Sequence, residues 1–490
     1  MSELRLVMPH QLFESHLNAE LGTRFVLVEH DLLFRQYRFH RQKLILHRVS
    51  MRRFAQRLRR HGFDVEIIET DSATTSRESL SAVVRRLRPS SVHLYDVVDD
   101  WLAADVCGAL ADAGIDLDAE ATAESPNFLT SRRQITEFFD GPTARMSEFY
   151  TWQRRRLGIL VDSAGVPAGK RWSFDADNRK PLPRRLDVAV PRFPDPDEHV
   201  DAAIEWVEKE FPDNPGDARA FRWATDHRGA REMFEDFLAE RFAGFGPYED
   251  AISTTNPYLF HAMLTPALNI GLVSPRTVLR RALEVGGQGE IGLAGLEGFV
   301  RQLIGWREYM RATYVVHGRT MRTANRLGHR RALAPGWWTA QTGLVPVDGV
   351  VRHVLDCGWA HHIERLMILG NAMCLLRTHP DEVYRWFMEM FVDAYDWVMV
   401  PNVYGMSQFA AGTAITTKPY VSGSNYLRKM SDLRKGPWCA EWDGLYWTFV
   451  ADHRDVLDRN RRSSFVVANL ERMEPSTRAA HLRTGRRWLD

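Results

Sequence analysis

The chain has 490 residues, 44% of them hydrophobic and 26% charged, with a formal net charge of +1. That length exceeds one ordinary domain and can bury a large core, and the composition excludes a disordered chain. The near-neutral balance excludes a polyanion-binding signal spread over the whole molecule, while local basic patches remain open. At the start, "MSELRLVMPHQLF" lacks the basic-then-apolar layout of a signal peptide. Short apolar runs follow at 4–9 (LRLVMP), 25–30 (FVLVEH), 65–70 (VEIIET) and 91–96 (SVHLYD), each predicting a buried parallel strand. Helical stretches at 43–61 and 76–87 lie between them, so the first part alternates β and α without a GxGxxG fingerprint. Residues 160–200 are rich in Pro, Gly and charge and predict a long connection. From about residue 200 onward helical periodicity dominates, with aromatic clusters such as "WREYM", "GWWTA" and "YRWFMEMF" and no internal repeat. No apolar stretch is long enough to span a membrane, so a cytoplasmic protein without membrane contact is expected.

One segment does not read as ordinary core. "WAHHIERLMILGN", residues 359–371, heads an apolar helix with His361 and His362 and places Arg365 one turn later. A buried guanidinium needs a carboxylate or an anionic ligand beside it. Histidine titrates near neutrality and suits proton transfer. The many tryptophans fit either a large core or a flat ligand with a redox chain.

Several segments carry a resemblance. "LEGFVRQLIGWREYMR" (296–311) and "LFHAMLTPALNIGLVSP" (259–275) resemble the photolyase/cryptochrome family, and "GKRWSFDADNRKPLP" resembles the interdomain segment of its prokaryotic (6-4) branch. "WAHHIERLMILGN", "VYRWFMEMFVDAYDWVMVPNVYGMSQFAAGT" and "TKPYVSGSNY" are similar to its prokaryotic (6-4) branch, the iron–sulfur bacterial type. The resemblance implies an α/β Rossmann-like antenna domain over 1–135, a connection over 136–200 and an all-helical FAD-binding domain over 201–490. It also implies light-driven repair of (6-4) pyrimidine photoproducts in UV-damaged DNA, by electron transfer from reduced FAD in a monomer. Alternatives are a cryptochrome-like photoreceptor without repair, or a flavoenzyme recruited to other redox chemistry.

Roles follow from the same resemblance. His362 matches the proton donor, with His361 as its partner, and Tyr420 matches a tyrosine near the lesion. Thr265 and Asn269 would serve the flavin's phosphates and ribose, and an Arg365–Asp393 pair would stand beside its ring. Gln302, Trp306, Arg307 and Asn402 would line the flavin or lesion pocket. Trp386 and Trp338 match the electron-transfer tryptophans, with Phe387 where the branch commonly has Tyr. Arg179 and Lys180 match a loop that reaches a flipped lesion. The arginine-rich run 301–331, Arg311 included, is expected to rim a phosphate-contacting surface.

Two departures stand out. Pro9 and His10 replace the branch's "GDQ" opening, which leaves a lumazine or other antenna chromophore open. Of the four cysteines (107, 357, 374 and 439), which form no CxxC pair, only Cys439 matches a cluster ligand, and Pro346 stands at another ligand's place. No iron–sulfur cluster or other metal is expected, the C-terminal segment being held instead by Arg434, Lys435, Trp438 and Trp442.

Overall fold

The computed structural model describes residues 3–117, 122–141, 144–183 and 187–490. Five parallel strands open the chain: β1 (Glu3–Val7), β2 (Arg24–Val28), β3 (Asp64–Ile68), β4 (Ser91–Tyr95) and β5 (Thr122–Ala123). They pair in the order β3-β2-β1-β4-β5, the arrangement of a Rossmann-type sheet. Leu6 stands opposite Val26, and Leu4 opposite Val92. Each of the four apolar runs forms a strand because helices cover both faces of the sheet, so alternation is not required. β5 is too short to leave an apolar signature in the sequence.

Helix Arg41–Arg60 does more than cover the sheet. Its first turns reach into the helical part of the molecule. The His40 backbone N–H donates to the Glu389 carbonyl at 2.6 Å, Lys43 Nζ donates to the Ala394 carbonyl at 2.6 Å, and His47 Nε2 meets the Tyr395 hydroxyl at 2.7 Å. Lys43 is fully buried over the Phe39 ring, and desolvation pulls its pKa down to about 7. The two parts are therefore joined by buried polar contacts that neither could satisfy alone.

Pro9 and His10 have a structural explanation. His10 Nε2 bonds to the Val97 carbonyl at 3.0 Å, and Gln11 Nε2 donates to the Tyr95 carbonyl at 2.8 Å. These side chains lace the end of β1 to the end of β4.

After Ala123 the regular elements among the described residues are all helices, apart from isolated bridges. None of their helices is long and apolar enough to cross a membrane. Three segments, Arg301–Arg307, Glu364–Gly370 and Pro401–Ser407, wind more widely than an α-helix, with π-type turns. Such turns re-aim side chains and cluster at functional sites.

At the C-terminal end, helices Trp438–Asp452 and Pro475–Leu489 cross where Gly444 meets Gly485. Trp442 is fully buried and donates to the Ser422 carbonyl at 2.9 Å. Trp438 is buried and donates to the Arg434 carbonyl at 3.1 Å. The expected ion pairs fall on other residues. Arg434 and Lys435 are exposed, while Glu441 takes Trp488 Nε1–H at 2.6 Å and Arg487 at 3.2 Å. A Cβ at Gly485 would stand 2.1 Å from Thr448 Oγ1 and 2.4 Å from the Gly444 carbonyl oxygen. Gly485→Val should therefore lower stability by about 1–3 kcal/mol through overpacking. The midpoint of urea denaturation measures this, and an unchanged midpoint would show that the helices do not meet at this crossing.

Candidate functional site

The three wide helical segments converge on one cavity of about 300 Å³. Each contributes to its wall: Gln302 and Trp306 from the first, Arg365 and Leu366 from the second, Asn402 and Val403 from the third. Most of the lining is apolar, including Phe299, Leu303, Phe387 and Trp397, with a few converging polar groups. That mixture suits a flat ligand with a polar edge.

Arg365 and Asp393 form the expected pair. Arg365 Nη1 lies 2.8 Å from Asp393 Oδ1 and Nη2 lies 3.0 Å from Oδ2, a bidentate arrangement. Arg365 Nε also donates to the Ala360 carbonyl at 2.6 Å, and its guanidinium covers the Phe391 ring at 4.0 Å. Asp393 takes a further bond from Thr265 Oγ1 at 2.5 Å, while Asn269 Nδ2 donates to the Asp393 carbonyl at 3.0 Å. Thr265, Asn269, Arg365 and Asp393 are thus one hydrogen-bonded unit in the cavity wall. Arg307 also lines the cavity, donating to the Asn127 carbonyl at 2.7 Å and covering the Phe128 and Trp397 rings. Burial lowers its pKa to about 10, and its Nε has no protein partner. Asn402 lines the wall with its amide anchored to the Val398 carbonyl at 2.7 Å.

Both paired histidines reach the cavity. His362 projects into it, with its ring 6.1 Å from that of Trp306. Enclosure by the walls and the nearby Arg365 charge lower its pKa to about 4. His361 is buried and stacks on His261, with centroids 4.5 Å apart. Its Nε2 lies 3.4 Å from Glu364 Oε2. Burial pushes Glu364 up to about 8 and His361 well below its ordinary value, so at neutral pH this acid is protonated and the ring neutral. His261 Nε2, both His361 ring nitrogens and Glu364 Oε2 have no protein hydrogen-bond partner. Orphaned buried polar atoms at a cavity wall fit a ligand that brings the missing partners. His261 and Glu364 were not singled out in sequence, although Glu364 stands three residues beyond His361, one turn along the same helix.

Arg179 and Tyr420 come together beside the cavity mouth. Arg179 pairs with Asp175 and lies 3.6 Å from Asp250, itself a lining residue. Tyr420 is 37% exposed and feels the charges of the same three groups. Lys180 is exposed beside Arg179.

The arginine run corrects an expectation. Arg311 is completely buried, bonded to the Thr130 carbonyl and 3.1 Å from Asp96 Oδ2, so it is no phosphate contact. Arg301 is held among Asp175, Glu249 and Glu297, and Arg322 is paired with Asp396. The inner face of this helix needs cations because acids from distant segments are buried against it. Arg319, by contrast, is exposed.

Trp386 and Trp338 are not brought together directly. Trp386 is fully buried behind Phe387, which lines the cavity, and the ring against its outer edge is that of Trp337, 5.7 Å away. Trp338 is half-buried, with its N–H bonded to Glu389 at 2.7 Å. The cysteines are dispersed: Cys107 is exposed in the α/β part, and Cys357, Cys374 and Cys439 are buried and free. Among the described residues no group of three or more His, Cys, Asp or Glu is placed to hold a metal ion.

A Rossmann-type sheet locked to a helical body with one apolar, polar-edged cavity defines a protein built around a bound flat cofactor. Residues 5–223 match the family described as deoxyribodipyrimidine photo-lyase-related protein, and residues 299–439 match the FAD binding domain of DNA photolyase. The chain is 33% identical over 455 residues to the (6-4) photolyase of Agrobacterium fabrum, covering 90% of this chain and 89% of that protein. Its fold is similar to a bacterial class III photolyase from Agrobacterium tumefaciens, with a TM-score of 0.57, 16% identity and coverage of 98% and 89% of the two chains. A Synechocystis cryptochrome gives a TM-score of 0.56 at 14% identity, with coverage of 98% and 93%. The chain belongs to the photolyase/cryptochrome family, and its helical part carries that family's FAD-binding domain.

The depressed histidines set a pH dependence. Burial lowers His261 to about 3, His353 to about 4 and His40 to about 4, whereas His362 opens to the cavity and adds little. The unfolded chain, with ordinary histidines near 6.5, binds more protons than the native state between about pH 4 and 6.5. Stability should therefore be full above about pH 6.5 and fall, by several kcal/mol in sum, as the pH drops toward about 4. Glu364, raised to about 8, works in the opposite direction and offsets part of this. Urea midpoints at pH 7.5 and 5.0 check the sign. A higher midpoint at pH 5.0 would show that these rings are solvated.

Proposed function

We propose that the protein is a light-driven DNA repair lyase that reverses (6-4) pyrimidine photoproducts, working as a monomer on UV-damaged DNA. The observation that carries this reading is the placement of the Arg365–Asp393 unit and the His361–His362 pair on the wall of one cavity. When bound and reduced, FAD supplies a photoexcited electron. The rest belongs to the chain. Arg365 places fixed positive charge where a reduced, anionic ring is stabilised, and Asp393 with Thr265 and Asn269 holds that guanidinium in orientation. Gln302, Arg307, Trp306 and Asn402 shape the slot.

His362 is the proton donor in this reading. Its ring is neutral at pH 7 in the open cavity, so the anionic DNA raises its proton affinity as it binds. His361, stacked on His261 with its Nε2 3.4 Å from Glu364 Oε2, holds the pair in position. Arg179, Lys180 and Tyr420 stand where an extruded nucleotide enters. The division into an antenna domain (1–135), a connection (136–200) and a catalytic domain (201–490) belongs to the same proposal, as does a lumazine or related antenna.

The test is illumination of the flavin-loaded protein with an oligonucleotide carrying one (6-4) lesion, scored for restored pyrimidines. Denaturation should release one FAD per chain, and the lesion should disappear only in light. His362→Ala should lower repair by about 10²–10⁴-fold while flavin photoreduction continues. Light-dependent flavin reduction with no repair would favour the photoreceptor reading instead, and protein that cannot be loaded with FAD would exclude both. Iron and acid-labile sulfide should both be near zero in anaerobically purified protein, and stoichiometric iron would show that distant cysteines converge.

A further inference from the structure

We propose that Glu389 is the proton acceptor of an oxidised Trp338, at the outer end of a relay in which Trp337 bridges Trp386 to Trp338. This rests on the reading of Trp386 and Trp338 as electron carriers.

A ring contact defines the inner step, and chain adjacency joins Trp337 to Trp338. The Trp386 ring meets Trp337 edge-on, with centroids 5.7 Å apart and planes at 78°, and Trp386 Nε1–H donates to the Trp337 carbonyl at 3.1 Å. Trp337 is 2% exposed and so has no outlet of its own. Its chain neighbour Trp338 is half-buried and reaches solvent. There the indole N–H donates to Glu389 Oε2 at 2.7 Å, in the range of a charge-assisted bond. Glu389 is 5% exposed, its Oε1 lies 3.9 Å from Arg385 Nε, and the Arg385 guanidinium stands 5.7 Å from the Trp338 ring centre. Burial raises the Glu389 carboxyl above its ordinary range, while the Trp338 bond and the charges of Arg385 and Arg38 pull the other way. The remaining acid–base neighbour, Tyr37, lies on the facing segment, and its own pKa is raised. A carboxylate of raised proton affinity, already bonded to the N–H, is poised as a base.

The steps balance. Trp386 loses one electron to a photoexcited flavin, the one-electron oxidant of the proposed site, and is left as a radical cation. An electron from Trp337 refills Trp386, and an electron from Trp338 then refills Trp337, with no bond changed. At Trp338 the N–H bond breaks, its electron pair stays on nitrogen and the proton bonds to Glu389 Oε2. A radical cation and a carboxylate become a neutral radical and a carboxylic acid. Arg385 favours this because its charge repels a cationic indole and not a neutral one. The neutral radical takes back an electron only together with a proton, which slows charge return. A thiol in solution supplies that electron, and Glu389 returns the proton.

Transient absorption of the flavin-loaded protein in H₂O and D₂O tests this, because the tryptophan radical cation absorbs further to the red than the neutral radical. In the parent protein the cation should convert to the neutral form with a solvent isotope effect. Glu389→Gln, which keeps a hydrogen-bond acceptor but not a base, should slow that conversion at least about tenfold with the early radical yield unchanged. Glu389→Asp should restore part of the rate. Trp337→Phe should lower the yield of Trp338 radical at least about tenfold, because it removes the indole that packs on Trp386 and precedes Trp338 in the chain. Conversion at the parental rate in Glu389→Gln overturns the acceptor, and a parental Trp338 yield in Trp337→Phe overturns the bridge. Absence of any tryptophan radical in the parent overturns the electron-carrier reading and the relay together. An intact radical sequence without DNA repair upholds the relay and overturns only the repair reading.

Discussion

A guanidinium and a carboxylate withdrawn from water cost several kcal/mol each unless their geometry is nearly complete. The Arg365–Asp393 pair meets that demand with two parallel bonds to each other, a third from Arg365 to the Ala360 carbonyl and one from Thr265 to the carboxylate, while Asn269 holds the Asp393 backbone carbonyl. Satisfying it fixes the relative position of three separate segments. The Asp393 turn is in turn gripped from behind, where Lys43 holds the Ala394 carbonyl and His47 the Tyr395 hydroxyl. The cavity wall and the docking of the α/β part onto the helical part are thus one structural problem with one solution. Loss of either half of the ion pair would leave the other charge buried without its bidentate partner, beside that interface.

The wide helical turns solve a second problem. An ordinary α-helix facing a flat apolar slot presents side chains every third or fourth residue. A wider turn adds about one residue per turn and brings adjacent residues such as Arg365 and Leu366, or Asn402 and Val403, onto the same wall. The same device lets polar and apolar groups alternate around one ligand edge without breaking the helix.

What was legible in the sequence follows from how local each signal is. Four strands were readable because a buried parallel strand writes itself as a continuous apolar run, and β5 was not because two residues write nothing. The Arg365–Asp393 pair was legible because a buried cation requires a partner and a matching acid stood in a resembling segment. Arg311 was misread because the direction of an arginine depends on where acids lie, and its partner Asp96 is 215 residues away. The contact between Trp337 and Trp386 was not legible for a similar reason: "GWWTA" offers two indoles, and only packing decides which one meets Trp386. Glu364, by contrast, was within reach of helical spacing alone.

Buried acids also limit how much of the arginine charge reaches the surface. Much of the positive charge of the 301–331 segment is spent against buried acids: Arg301 on Glu249 and Glu297, Arg311 on Asp96, Arg322 on Asp396. Cations so engaged cannot release counterions from a polyanion, so a basic run in the sequence overstates the electrostatic surface. Near the cavity mouth stand Lys180, Arg462 and an Arg179 already shared between Asp175 and Asp250. A surface built this way draws less on long-range attraction than the arginine run in the sequence suggests. Discrimination then has to come from what fits into the cavity, where the histidines, the arginine and the aromatic walls act on whatever enters.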